Sequence, residues 1–257
     1  MSYRFATERQ DYTDYSSGRV FYNLPGHTAF PIRLGIEIFE RCMELRRKNG
    51  AGGPVHLYDP CCGGAYHLAV LAYFEWDHIA AITASDIDPD SLSVARRNLS
   101  LLSMEGLEQR TLEIQEMYAR YGKASHRAAL ESARVLKGSL EANLRQHRIP
   151  VRHFQADALQ PGAIAAGLGA EPVDMVICDI PYGIKSSWLG EQAAGGDHAA
   201  VTRLLDNLAP VLSPQAVVAL AATRETRVEN ANYRRAGRLK LGHRQVTFLL
   251  PASQHGH

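Results

Sequence analysis

Short apolar runs rich in β-branched residues recur along the chain, and most break into a polar or acidic residue at their carboxyl end. They are VHLYD (55–59), HIAAITASD (78–86), VRHFQAD (151–157), VDMVICD (173–179), AVVALAATR (216–224) and VTFLL (246–250). Runs of this length separated by helix-period stretches predict an α/β fold, a parallel sheet with crossover helices. A seventh strand around Arg238–Leu241 would pair with the last run. Helices are predicted at about Ala65–Glu75, Pro89–Ser103 and Ala199–Leu208; Asp88 caps the second, and Pro89 sits in its first turn.

One crossover is far longer than the others. Between the second and third strands, Leu107, Leu112, Ile114, Met117, Tyr118, Tyr121, Leu130, Val135, Leu136, Leu140 and Leu144 recur at an irregular helical period. This predicts an inserted helical hairpin over about 104–148, broken near Tyr121–Gly122. Residues 1–50 form an N-terminal extension and a helix, and 1–257 read as a single domain.

No apolar stretch approaches the roughly 20 residues of a membrane span. The opening MSYRFATERQDYTDY lacks the apolar run of a signal peptide. A soluble, cytoplasmic protein is expected. Cys42, Cys61, Cys62 and Cys178 form no CxxC pair, so buried reduced thiols are expected, with neither a disulfide framework nor a metal site.

Net charge is only +1, but its distribution is uneven. From Arg110 to Arg152 nine basic residues face four acidic ones, and from Arg224 to Arg244 seven face two. Two basic segments suit a polyanion lying across one face. A solvated helix face is the alternative for the first; the cluster YRRAGRLK in the second, set between strands, points more firmly to nucleic acid. Lys123, Arg127, Lys137, Arg234 and Arg235 are the candidate RNA contacts here.

Candidate chemistry gathers where the strands end. The first leads into YDPCCGGAYHL, where Gly63 and Gly64 precede a helix. Such glycines allow a tight turn close to a ligand, although a glycine pair is also an ordinary turn and GxGxxG is absent. The second ends in SDIDPD: Asp86 is placed to accept from the two hydroxyls of a ribose, while Asp88 and Asp90 suit the cap and first turn of the next helix. Asp157, ending the third, either meets an adenine amino group or caps its own loop. The fourth ends in CDIPYG, with Asp179 in line with Asp59, Asp86 and Asp157. Capping accounts for one or two such carboxylates; four at one edge favour a nucleoside-bearing cofactor beside a chemical site.

The order DPCCGG, SDID, QAD, DIPYG resembles the class I S-adenosylmethionine-dependent methyltransferases, in the branch whose (D/N)PPY-type motif serves methylation of planar base nitrogens. With DYSSGRVFYNLPGHTAFPIRLGIEIFER, ASDIDP, the downstream SSWLGE and LKLG near the end, the resemblance narrows to the AviRa family. These are avilamycin-resistance methyltransferases acting on a guanine of large-subunit ribosomal RNA. The resemblance implies a Rossmann-like, seven-stranded, mostly parallel sheet with the last strand antiparallel. It implies S-adenosylmethionine as cofactor, 23S rRNA or the large subunit as partner, no metal, and resistance to an orthosomycin. It carries Asp59, Cys61, Gly63 and Gly64 to the methionine end of the cofactor, Asp86 to its ribose and Asp157 to its adenine. Asp179, Ile180, Pro181 and Tyr182 become the base pocket. Ile180 departs from the motif by replacing its first proline.

An aromatic amino nitrogen is a poor nucleophile because its lone pair is delocalised. Asp179 and the backbone carbonyl of Ile180 or Pro181 would accept its N–H bonds and aim the lone pair; Tyr182 would stack on the base. If the target is guanine N1, Asp179 would accept the departing proton. The sequence leaves N1 and N2 both open. GIKSSWLGEQAAGGDH reads as a lid, where Trp188 either stacks or anchors the loop. Tyr12, Tyr15, Arg19, Tyr22, His27 and Arg33 interleave aromatic and basic groups, suited to unpaired RNA or to an extension packed on the sheet. Two other functions stay open: methylation of another base (adenine N6 or a transfer RNA guanine), and a non-catalytic RNA-binding or assembly factor.

Overall fold

The strands of the chain are β1 (Val55–Asp59), β2 (Ile79–Asp86), β3 (Val151–Gln155), β4 (Val173–Asp179), β5 (Leu212–Thr223), β6 (Tyr233–Leu241) and β7 (Arg244–Pro251). The computed structural model describes residues 3–24, 26, 28–180 and 196–252. The strands form one sheet in the order β3-β2-β1-β4-β5-β7-β6. Pairing is parallel from β3 through β5, and the last strand, β7, runs antiparallel between β5 and β6.

The helices are α1 (Ile32–Lys48), α2 (Tyr66–Glu75), α3 (Pro89–Ser100), α4 (Met104–Tyr121), α5 (Ala124–Leu144), α6 (Ala163–Leu168) and α7 (Gly196–Leu208). Leu57, Ile177, Val246 and Phe248 belong to the core shared with α1 to α5, and Tyr58, Val176, Cys178 and Leu220 to the core shared with α6 and α7. Central strands buried on both faces read as continuous apolar runs, which is why β1, β4 and β5 are plain in the sequence.

Three elements differ from expectation. β3 stops at Gln155, so Asp157 stands in a turn beyond the strand. The six-residue α6 was not predicted, because AIAAGL lies between glycines and is too short to show a period. β6 begins at Tyr233 rather than near Arg238, and its exposed Arg234, Arg235 and Lys240 lie on the sheet's edge strand. Charges on an edge strand discourage pairing with other chains, and they mask the strand's own signal.

The hairpin breaks where predicted. Gly122 ends α4 in the left-handed region, φ 60°, with its N–H donated to the Tyr118 carbonyl at 2.8 Å. The N-terminal extension packs on the helices rather than standing free. Buried Glu37 of α1 accepts the backbone N–H groups of Arg4, Phe5 and Ala6 at 2.8, 2.8 and 3.0 Å. Tyr15 packs on Phe74 and Tyr73 of α2. The Tyr22 ring lies between the guanidinium groups of Arg97 and Arg110, 3.8 and 4.2 Å from its centroid. Among the described residues no helix is long and apolar enough to cross a membrane.

Candidate active site

β1, β2 and β4 end side by side, but their terminal carboxylates have different surroundings. Asp59 has no exposed surface. Its Oδ1 accepts the Cys61 N–H at 2.9 Å, and its Oδ2 lies 3.0 Å from Nε2 of buried His67 on α2. The latter is a close but poorly aligned contact. Burial works to lower the His67 pKa; the adjoining Asp59 carboxylate, helped by Asp179 and the Ile177 carbonyl, outweighs it and raises the imidazole above its ordinary value. Asp59 therefore shapes the turn through the Cys61 N–H and lies against His67, beneath the edge at which it was expected.

Asp86 is half-buried. Its Oδ2 accepts the Gly63 N–H at 2.8 Å and its Oδ1 the Asp88 N–H at 3.0 Å. Burial raises its pKa, with those two bonds opposing. A carboxylate has about four lone-pair sites, so Asp86 can hold the glycine turn and still accept from a vicinal diol. Gly63 has φ +52°, strained for any side chain. At Gly64 a Cβ would come within 3.1 Å of Val94, so that glycine serves the close packing of α3. Asp88 caps α3 as predicted, bonding the Asp90 and Ser91 N–H groups. Asp157 Oδ1 accepts the Leu159 N–H at 2.9 Å, so it does cap its own loop, while staying half-buried at the edge.

Asp179 ends β4, next to β1. Its Oδ2 lies 3.4 Å from Nη1 of Arg244 on β7, and the two side chains are 26% and 24% exposed. The Arg244 guanidinium also sits over Phe30, 5.3 Å from the ring centroid. Ile180 explains its own departure from the motif: its N–H donates to the Ala221 carbonyl at 3.1 Å, extending the β4–β5 pairing by one bond that proline could not donate. Pro181, Tyr182 and Trp188, with His27 of the extension and most of the segment read as a lid, lie outside the described residues.

Cys178 is buried, which pushes its thiol well above the ordinary value. For Cys61 the hydrogen bond from Cys178 works downward, but burial and the nearby Asp59, Asp86 and Asp157 prevail and raise it. Both thiols stay protonated at neutral pH, which suits packing and not nucleophilic attack. Among the described residues no group of three or more His, Cys, Asp or Glu is arranged to hold a metal.

The candidate RNA contacts separate into three sets. Arg33 donates to the Ala6 and Thr7 carbonyls at 2.8 and 2.7 Å, and Arg19 to Ser132 at 2.8 Å, so both tie down the extension. Arg234 and Arg235 lie at the amino edge of the sheet, since Tyr233 faces Pro251 there while Leu241 and Thr223 face Arg244 at the other end. Arg234 bonds Asn49, just after α1, at 2.9 Å. The length of β6 thus sets these two arginines roughly 20 Å from Asp179, at the opposite edge from Arg244 and Lys240. Lys123 and Arg127 are exposed at the α4–α5 turn. At 1.5 Å per residue α4 is about 27 Å long and α3 about 18 Å, so the turn stands well clear of α3. Lys137, lower on α5, pairs with Glu108 at 3.1 Å.

Sequence reading missed His67, Asn98 and Arg244. Asn98 accepts the Tyr22 N–H at 2.7 Å and donates to the Gly64 carbonyl at 2.8 Å, joining the extension to the glycine turn. An asparagine inside a helix carries no sequence signal for this. Arg244 was counted as one charge among seven, although its place at the head of the last strand could have been set against the end of β4.

The comparisons with known proteins agree with this geometry. A family model described as rRNA methyltransferase AviRa matches residues 1–244. A relative from Streptomyces viridochromogenes, a 23S rRNA (guanine(2535)-N(1))-methyltransferase, is 39% identical over 251 residues, 98% of this chain and 96% of that protein. Two solved structures of the rRNA methyltransferase aviRa from the same organism superpose with TM-scores of 0.85 and 0.84. They are 37% and 36% identical to this chain, cover 98% and 97% of it, and are themselves covered to 96%. An α/β sheet ending in an antiparallel strand, a glycine turn held by Asp86, and Asp179 one strand away thus occur in a chain whose likeness to these proteins runs nearly end to end: it belongs to the AviRa family of rRNA methyltransferases.

Proposed function

We propose that the protein transfers a methyl group from S-adenosylmethionine to N1 of a guanine in 23S rRNA, acting in the cytoplasm as one catalytic domain on the large subunit or its RNA. The modification would confer resistance to an avilamycin-like orthosomycin. The observation that carries this reading is the position of Asp179, at the carboxyl end of β4 and one strand from the turn that Asp86 holds. The name of the 39% identical relative supports the choice of base and atom.

The residues fit the cofactor. Asp86 has lone pairs left for the ribose hydroxyls, Gly63 admits the backbone turn, and Asp157 stands at the same edge for the adenine amino group. When bound, S-adenosylmethionine supplies an electrophilic methyl on a positive sulfur, so no covalent enzyme intermediate is required. Guanine N1 carries a proton, and its lone pair is free only once that proton leaves. Asp179 is the acceptor for it. Lys123 and Arg127 at the helical turn contact phosphates.

The test is incubation with methyl-labelled S-adenosylmethionine and, separately, unmodified large-subunit rRNA, small-subunit rRNA, bulk tRNA and duplex DNA. Label entering only large-subunit rRNA, absent with Asp179→Ala and mapped to guanine N1, is the expected result. Label in tRNA or DNA, or on adenine, overturns the substrate; binding of RNA without transfer to any of them, or to assembled subunits, favours a non-catalytic factor.

A further inference from the structure

Guanine differs from adenine on one edge in a simple way. At N1 and position 6 guanine presents a donor and then an acceptor, whereas adenine presents an acceptor and then a donor. A site for guanine therefore needs an acceptor and a donor side by side. Asp179 and Arg244 are such a pair: their side chains, each about a quarter exposed, meet at the carboxyl edge with a carboxylate oxygen 3.4 Å from the inward-lying Nη1 of the guanidinium. Arginine cannot act as an acceptor, so with N1 of the base set against the carboxylate the pair fits guanine and not adenine; adenine would have to turn and present its N6–H there instead. Phe30, 7% exposed, packs against the guanidinium with its ring centroid 5.3 Å away.

We propose that Arg244 selects guanine and shares in the chemistry, by donating to O6 while Asp179 accepts from N1. This rests on the guanine N1 reading above. In the step itself the N1 proton passes to Asp179, and the pair it leaves forms the N1–CH₃ bond. The S–C pair departs with sulfur, which becomes a neutral thioether. As N1 loses its proton, negative charge spreads onto O6, where a fixed cation counts for more than in the ground state. Arg244 thereby lets N1 ionise at lower pH than in free RNA. Lys240 and His243 flank the same end of the β6–β7 hairpin and are exposed, while buried His67, beside Asp59, lies near enough to feel the Asp179 charge.

Single-turnover methylation of large-subunit rRNA across pH, read by label and by the reverse-transcription stop that N1-methylguanine causes, tests this with wild type, Arg244→Gln and Arg244→Lys. Melting temperature and cofactor binding are measured on each protein. Loss of one donor to a developing oxyanion lowers rates by about 10²–10³-fold, so Arg244→Gln should lose that much at neutral pH and regain part of it at alkaline pH. Arg244→Lys, which keeps the charge, should lie between the two, with melting and cofactor binding near wild type. Two results overturn the role of Arg244 while leaving the guanine N1 reading intact: Arg244→Gln retaining the wild-type rate and pH profile, or both variants losing rate equally with an unshifted profile. Wild-type label on adenine or on guanine N2 removes both together.

Discussion

The two ends of the sheet each hold acidic and basic side chains in close contact, and they hold them differently. At the amino edge Asp174 is saturated: it accepts from Arg46 at 2.9 Å, from Ser213 at 2.8 Å and from the His56 N–H at 3.0 Å. Its carboxyl is held below the usual range, because these bonds together outweigh the burial that would raise it. At the carboxyl edge the contacts are looser: 3.4 Å between Asp179 and Arg244, and an unaligned 3.0 Å between Asp59 and His67. The difference separates a clamp from a site. The two carboxylates are about equally exposed, 24% at Asp174 and 26% at Asp179, so what differs is how they are held: three short bonds lock Asp174 and the strand starts to α1, whereas the contact of Asp179 with Arg244 is long.

The strongest test of that contrast is Asp179→Asn. Removing a positioned acid–base group costs about 10²–10⁴-fold in rate, and methyl transfer should fall by that much while the urea midpoint moves little. An equal loss of stability would make the two edges alike. The converse is Asp174→Ala, which strands the nearly buried Arg46. Breaking such a pair costs up to 3–5 kcal/mol, and about 3 kcal/mol in urea unfolding is expected, with the residual activity per folded molecule near wild type.

A third test uses pH. The His67 pKa is raised above 6.5 in the folded protein, so its contribution to stability is complete below the unfolded value and fades as pH rises through the folded one. Relative to His67→Gln, the wild-type urea midpoint should fall as pH rises through neutrality into the alkaline range; parallel curves would mean that His67 is neutral beside Asp59. The smallest effect belongs to the exposed bases. Removing one phosphate-binding cation reduces the salt slope of RNA binding by about 1, so Lys123→Ala with Arg127→Ala should reduce it by about 2. Arg234→Ala with Arg235→Ala should leave slope and rate unchanged, and an equal reduction would bring RNA to the amino edge.

These contrasts also explain what could be read from the sequence. Strands buried on both faces announced themselves, and because all parallel strands share one carboxyl edge, Asp86, Asp157 and Asp179 could be placed together before any coordinates. Asp59 reached the right strand end but faces inward, a distinction of depth that composition does not carry. The basic segments were misjudged because a count along the chain is blind to direction. The length of β6 sets Arg234 and Arg244 at opposite ends of one hairpin, and helix packing consumes Arg110, which donates to the Val20 carbonyl at 2.8 Å. Tyr12, Tyr15 and Arg19 likewise suited RNA by composition, yet their partners are α2 and α5.

The clasp of Asn98 on Tyr22 and Gly64 has a bearing on how the chain is made. Arg19, Val20 and Tyr22 are synthesised well before Asn98, Arg110 and Ser132, the residues that hold them. During translation residues 4–6 and Tyr15 can settle on α1 and α2 as those helices form, but residues 19–22 meet their partners only once α3, α4 and part of α5 have cleared the exit tunnel. The glycine turn, held by the same Asn98 side chain, is joined at that moment to a segment synthesised before it, so neither is braced until the chain between them has folded.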